Sequence, residues 1–368
     1  MLTATWEQVN TRRLQRGALL DPAPSIAEAV RGTCGLQAQL LSAAELGAGL
    51  RVAGVRREDV RAELWERRTL VRLTAQRGTI HVLPADELPV WVAALRGPHP
   101  YWHTREWRER YDVTPERADA LVSAIADALD GVQLTREELA VEASARAGSW
   151  ARTRLTSGWG ELLAPAAYSG LLCHGPPRGG TVTFVRADQW IGGWREVDPH
   201  EALVEIVRRY LHTYGPTRPR DVSRWLGVEL PRVEAALEEL DLEEVRIERR
   251  RAQQLAGDEF PDPGASVRLL PKYDCYVLGC YPRESIVPIP VRDALRAHPR
   301  GRFESASGHW VLVVDGLVAG MWERQGKEIR IDAFTRLSRG QQRQAEEDAA
   351  RIGAFLGLDA SISFAPLT

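Results

Sequence analysis

Lysine is nearly absent from this 368-residue chain: Lys272 and Lys327 are the only two among 48 lysines and arginines. Amine nucleophiles for Schiff-base chemistry are correspondingly scarce, and no lysine precedes Lys272. Cysteine is sparse as well. Cys34, Cys173, Cys275 and Cys280 form no CxxC pair, which argues against a zinc ribbon, and their scatter fits an iron–sulfur cluster poorly. The eight histidines are dispersed, with neither HExxH nor HxH spacing, so no bound metal and no cofactor is expected. No apolar run reaches about 18 residues, the length a membrane-spanning helix needs. Residues 1–10 include Glu7 and lack a basic-then-apolar pattern, so a secretory leader is not expected and the cytoplasm is the expected compartment. An excess of one charge is missing too: the net charge is −2, which by itself says nothing about a nucleic-acid partner.

What is present is a soluble globular composition, 44% hydrophobic and 27% charged, in a chain long enough for two or three domains or tandem modules. Nearly all the basic residues are arginine. A GC-rich genome would produce this, yet arginine is also the side chain suited to bidentate contacts with phosphate and guanine.

The residue pattern predicts an α+β fold in which one plan recurs three times: two or three helices, then a short hairpin. In the first segment, residues 1–112, Ser25 caps a helix through Ile26, Ala29 and Val30, and further helices are expected over 42–52 and 56–67. Strands over 70–74 and 79–83 flank residues 75–78, and a helix opens at Pro84. In the second, residues 113–197, Thr114-Pro115 starts one helix and the capping-box pattern from Thr135 to Glu138 starts another. A third helix is expected over 160–171, and the linker 175–180 joins strands at 171–173 and 182–185. In the third, residues 198–260, helices are expected over 202–214, 220–226 and 231–240, then a strand over 245–251. Three helices and a hairpin are the layout of a winged-helix (helix-turn-helix plus β-hairpin) module. The remaining part, residues 261–368, reads as β-rich, with strands over 267–270, 276–278, 310–314, 317–322 and 329–333. A helix over 337–356, capped by Ser338, closes it.

Gln37-Ala38-Gln39 is the most informative stretch. Two amides stand two residues apart in an apolar run, and a buried amide left unsatisfied costs about 1–3 kcal/mol. They either hold water or a polar ligand in a cleft or cap nearby backbone groups. Residues i and i+2 share a face on an extended strand but not on a helix. A shared cleft therefore requires the chain to bend near Gly35 or to leave helical geometry.

With Gln37-Ala38-Gln39 stand Arg77-Gly78-Thr79-Ile80-His81-Val82-Leu83 and Leu269-Leu270-Pro271-Lys272-Tyr273-Asp274, followed by Leu278-Gly279. In this order and spacing the sequence resembles, over its whole length, the bacterial winged-helix DNA glycosylases of the AlkZ and YcaQ type. Within them it looks most like the AlkZ branch, associated with azinomycin resistance and the unhooking of interstrand DNA crosslinks. The resemblance implies three tandem winged-helix motifs in a C-shaped arrangement that binds double-stranded DNA carrying N7-alkylguanine or crosslinks. It implies hydrolysis of the N-glycosidic bond, with Gln37 and Gln39 as the catalytic pair. Three self-sufficient modules give no reason to require a dimer, so a monomer is expected, one that needs no metal or membrane and works in the cytoplasm, on the nucleoid. A helix-hairpin-helix signature with a trailing Asp, found in many other glycosylases, is missing.

The chemistry is coherent. Glycosidic cleavage passes through an oxocarbenium-like sugar. N7 alkylation makes the guanine cationic, so the base leaves without an enzymic proton. A neutral amide can orient water through its carbonyl and bind sugar or phosphate oxygens through its NH2. Scarce lysine favours hydrolysis over a lyase mechanism, unless Lys272 or the terminal amine reaches the site.

Other residues carry two readings. Arg72, Arg77, Arg178, Arg249, Arg250 and Arg251 are candidate phosphate contacts on wings, or solvated charge. His81 and Asp274 are candidates for site support, or structural groups. Pro100-Tyr101-Trp102-His103 with Trp107 either stack on bases or pack between modules, and Asp315-Gly316 either tips a groove-probing hairpin or forms a surface turn. Two non-enzymic functions fit the same fold: a winged-helix transcriptional regulator, and a drug-sequestering resistance protein.

Overall fold

The computed structural model describes residues 2–97, 101–156, 161–299 and 306–365. Its fold is α+β, with three short three-stranded sheets and one five-stranded sheet.

Three units share a topology. In the first, the helix Ile26–Gly32 leads into the strand Leu36–Gln37, the helices Leu41–Gly49 and Arg57–Trp65, and the hairpin Leu70–Thr74 with Ile80–Pro84. The early strand pairs with the second hairpin strand rather than the first. The second unit runs Pro115–Ala128, Leu134–Thr135, Arg136–Ala147, Trp150–Leu155 and the hairpin Cys173–Arg178 with Thr181–Val185, with the same sheet order. The third runs Pro199–Tyr214, Pro219–Leu226, Leu230–Glu238 and the hairpin Leu242–Ile247 with Arg250–Leu255. There the early strand is reduced to a bridge between Thr217 and Gln253, and the chain start, Leu2–Ala4, adds a parallel strand on the far edge.

Local chemistry sets these boundaries. Ser25 accepts from the Glu28 N–H, and Thr135 with Glu138 closes the expected capping box. Asp198 caps two N–H groups ahead of Pro199. One continuous apolar core joins the first and third units to the C-terminal sheet, whereas most of the second unit has a core of its own built on Trp102, Trp107, Leu121, Ile125 and Phe184.

Several expectations change. Residues 276–278 are not a strand: the helix Cys275–Gly279 occupies them, because the Asp274 carboxylate accepts from the Tyr276 N–H and caps a helical turn. Residues 245–251 are not one strand either. Glu248 takes a left-handed φ of 53° and Ile247 pairs with Arg250, so Glu248-Arg249 is the hairpin tip. Pro176-Pro177 lies within a strand, where a register shift between Gly175 and Arg178 accommodates residues that cannot donate to the ladder. The helix expected over 160–171 is shorter, a 3-10 turn Glu161–Leu163 followed by Ala164–Tyr168, and Gly160 lies outside the described residues. Pro84 ends a strand and precedes a 3-10 turn, Ala85–Glu87, which leads into the helix Leu88–Arg96, with Pro89 in its first turn. The helices Trp6–Arg16, Trp150–Leu155 and Ile289–Ala297 and the strand Ser361–Phe364 add elements that periodicity did not signal.

Candidate active site

Gln37 ends the outer strand of the first sheet, Leu36–Gln37, and Gln39 follows it in a bend. Two consecutive left-handed residues, Cys34 at φ 56° and Gly35 at φ 91°, turn the chain out of its helix into this strand. Only glycine fits the second position, since a Cβ there would lie 2.5 Å from Leu83 Cδ2. The buried Gln76 holds the turn by donating to the Cys34 carbonyl at 3.0 Å. Leu36 then pairs with Val82, Gln37 with His81, and the Ala38 N–H donates to the Ile80 carbonyl at 2.7 Å. Ala38 is fully buried, so Gln37, half-buried, and Gln39, exposed, alternate to the other face. The bend at Gly35 and the extended geometry are those the shared-face argument requires.

Both amide orientations are determined by their partners. The Arg77 guanidinium donates through Nη2 to Gln37 Oε1 at 3.2 Å. The Ile80 N–H donates to Gln39 Oε1 at 3.2 Å. Guanidinium and backbone N–H groups offer no acceptor, so the amide oxygen must face each of them. Each Oε1 keeps one free lone pair, and each Nε2 is left without a hydrogen bond to the described residues. Gln39 thus caps a backbone group and Gln37 accepts from a side chain, while each keeps an open polar face.

The turn that carries Arg77 is fastened by all three units. Arg77 itself is left-handed, at φ 55°. Its Nη1 donates to the Trp225 carbonyl of the third unit, and its backbone lies against Gly227. Tyr168 of the second unit donates its hydroxyl to the Ala75 carbonyl at 2.5 Å and accepts from the Gly78 N–H at 3.1 Å. Beside this junction a cleft of about 600 Å³ is bordered by Arg77, Gly78, Tyr101, Tyr168, Gly227 and Arg232. Burial lowers the Arg77 pKa. No carboxylate among the described residues pairs with it.

Arg72 is not available to phosphate. It is 9% exposed and donates to the Ala38 carbonyl at 3.1 Å, with its other Nη 3.3 Å from His174 Nδ1. Burial lowers Arg72 to about 10 and holds His174 well below the ordinary histidine range, so the imidazole is the neutral acceptor of this pair. Arg72 therefore anchors the strand that bears the glutamines. His81 lies opposite Gln37 in the ladder but its ring is buried. Its Nδ1–H donates to the Thr79 carbonyl at 2.9 Å, and burial, with the nearby Arg77 charge, depresses its pKa to about 3. A neutral ring cannot offer a charge to phosphate. Asp274 gives no site support. Its carboxylate receives both Nη atoms of Arg51 at 2.9 and 2.8 Å, and both side chains are fully buried.

The remaining arginines are on hairpins. Arg178 is exposed but bonded to Glu138 at 2.9 Å. Arg249 is exposed at the third hairpin's tip, Arg250 is 2.5 Å from Asp221, and the exposed Arg251 is 3.5 Å from Glu244. Trp102 and Trp107 are buried in the second core, so they are core packing, whereas Tyr101 packs edge-on against Tyr168 at the border of the cleft and His103 is exposed; Pro100 lies outside the described residues. The Asp315-Gly316 turn is tied down rather than free to probe: Asp315 accepts from the Ser266 N–H at 2.7 Å and the Tyr276 hydroxyl donates to the Gly316 carbonyl at 2.7 Å. Lys272 borders a different cleft, with Ser42, Trp310 and Met321. Among the described residues no group of three or more His, Cys, Asp or Glu side chains is placed to hold a metal ion, and no helix is long and apolar enough to cross a membrane. Sequence reading missed Tyr168, His174, Trp225 and Gly227, whose roles depend on contacts between units and leave no local pattern.

Comparison with known proteins agrees with this architecture. The model of the DNA glycosylase AlkZ-like family matches residues 30–355. The chain is 33% identical over 375 residues to the interstrand DNA cross-link repair glycosylase of Streptomyces sahachiroi, covering 97% of this chain and 98% of that protein. The structure of the Streptomyces sahachiroi DNA glycosylase AlkZ superposes with a TM-score of 0.88 at 32% identity, over 99% of this chain and all of the other. With the family model spanning most of its length and the whole fold shared, this chain belongs to the AlkZ-like DNA glycosylase family.

Proposed function

We propose that this DNA glycosylase is monofunctional, hydrolyses the N-glycosidic bond of N7-alkylguanine in duplex DNA, and unhooks interstrand crosslinks of the azinomycin type, so conferring resistance on its host. The three units act as winged-helix modules of a C-shaped DNA-binding surface. Their recurring helix–strand–helix–helix–hairpin order supports this reading, as does the relative named for crosslink repair. We propose the division at 112, 197 and 260 from the recurring element order; the second unit's separate core also takes in Trp102 and Trp107 from before 112.

The observation that carries the mechanism is the Gln37–Gln39 pair, two neutral amides facing outward with their oxygens oriented by Arg77 and Ile80. Water attacks C1′ of the sugar as the C1′–N9 bond breaks. The bonding electron pair goes to N9 and cancels the positive charge of the alkylated ring, and the water proton passes to solvent. Neutral amides cannot protonate a leaving group, so they suffice only where the base is already cationic. Positioned dipoles supply the rest. A tethered base cannot rotate freely into a closed pocket. An outward-facing pair at the end of an outer strand suits a lesion that stays in the duplex.

The test is release of N7-methylguanine from alkylated duplex DNA by the purified protein, alongside unhooking of a defined crosslink. Absence of release, together with tight binding to one DNA sequence, would point to a regulator instead.

A further inference from the structure

We infer that Arg77 is a positioning residue that commits Gln37 to act as a hydrogen-bond donor to a DNA backbone oxygen, leaving the attacking water to Gln39. This rests on the catalytic reading of the glutamine pair and assigns the two amides different work.

The two oxygens are not held alike. Gln39 Oε1 accepts from a neutral backbone N–H. Gln37 Oε1 accepts from a guanidinium that has no carboxylate partner among the described residues and is otherwise bonded to the Trp225 carbonyl. A cation on the oxygen pulls electron density through the amide. The oxygen becomes a poorer acceptor for water and the Nε2 hydrogens become stronger donors. The natural acceptor for such a donor is an anionic oxygen, and in duplex DNA that is a backbone phosphate. Gln39, lacking that cation, keeps the better acceptor lone pair. Arg77 can hold this geometry because it is clamped on both sides: its left-handed backbone abuts Gly227, and Tyr168 spans the carbonyl of Ala75 and the N–H of Gly78.

The experiment is a double-mutant cycle read as single-turnover base release and, separately, as DNA affinity. Arg77→Met should slow release on the order of 10–100-fold, the scale of a misplaced reacting group, with affinity little changed. Combined with Gln37→Ala it should add nothing to the loss that Gln37→Ala alone causes. Gln37→Glu keeps an acceptor for Arg77 but has no NH2, and should be as slow as Gln37→Ala. Arg77→Lys keeps a positive charge and an N–H donor for Gln37 Oε1, and should recover part of the rate that Arg77→Met loses. Multiplicative losses in the double variant, a Gln37→Glu enzyme at wild-type rate, or an Arg77→Lys enzyme no faster than Arg77→Met would each overturn the inference. A Gln37→Ala enzyme with undiminished release would instead remove the catalytic reading beneath it. Should Arg77→Met not fold, Gln37→Glu still decides.

Discussion

Gly227 and Arg77 meet across the boundary between the third and first units: a Cβ on Gly227 would stand 3.0 Å from Arg77 Cα and 3.1 Å from its N. Gly227 also has a φ of 76°, where it ends the helix Pro219–Leu226. Gly227→Ala should therefore push the Arg77 turn away from Gln37 and slow base release on the order of tenfold. DNA affinity should stay within twofold. Single-turnover kinetics check this, and an unchanged rate would show that the contact does not govern the site.

Gln37→Ala and Gln39→Ala should each reduce base release on the order of 100-fold, the scale of losing one preorganised polar group. Both should bind alkylated duplex nearly as well as the parent. An equal loss of affinity would mean the amides serve binding alone.

Arg51 and Asp274 form a fully buried pair. Asp274→Ala leaves the guanidinium uncompensated and should cost about 3–5 kcal/mol of stability. Urea unfolding measures the loss. At temperatures where the variant is folded its rate of release should match the parent, because the pair touches neither glutamine; a selective loss of catalysis would return Asp274 to the site.

His81 gives a pH signature. Its folded pKa of about 3 lies below the unfolded value of about 6.5. Its neutral form is therefore favoured by folding, and that contribution is complete above pH 6.5. It is lost as pH falls toward 3, at up to about 1.4 kcal/mol per pH unit. His81→Asn should reduce the slope of unfolding free energy against pH between 6.5 and 4.5, leaving the parts due to His174 and His212, whose pKa values burial also lowers. Equal slopes for variant and parent would contradict the assignment.

Borohydride added during turnover should trap no protein–DNA adduct. Hydrolysis forms no imine for borohydride to reduce. A covalent adduct would establish a lyase.

The legible part of this protein was local. The sequence showed that Gln37 and Gln39 could share a cleft only off a regular helix, caps at Ser25, Thr135 and Ser338 marked helix starts, and the three-helix-plus-hairpin rhythm outlined the units. These rest on backbone periodicity and on side chains that bond within a few residues, so the sequence determines them directly. Asp274 shows the limit. Its strand-like surroundings fold as a capped helix around an ion pair with Arg51, 223 positions away. Arg72, Arg77 and His81 show it again. Whether such a side chain meets phosphate, a carbonyl or a neighbouring ring depends on burial and on which unit packs against it. Tertiary structure alone decided that Arg72 braces Ala38, that Arg77 orients Gln37, and that His81 stays neutral. A charge's partner is set by distance in space, and spacing along the chain does not encode that distance.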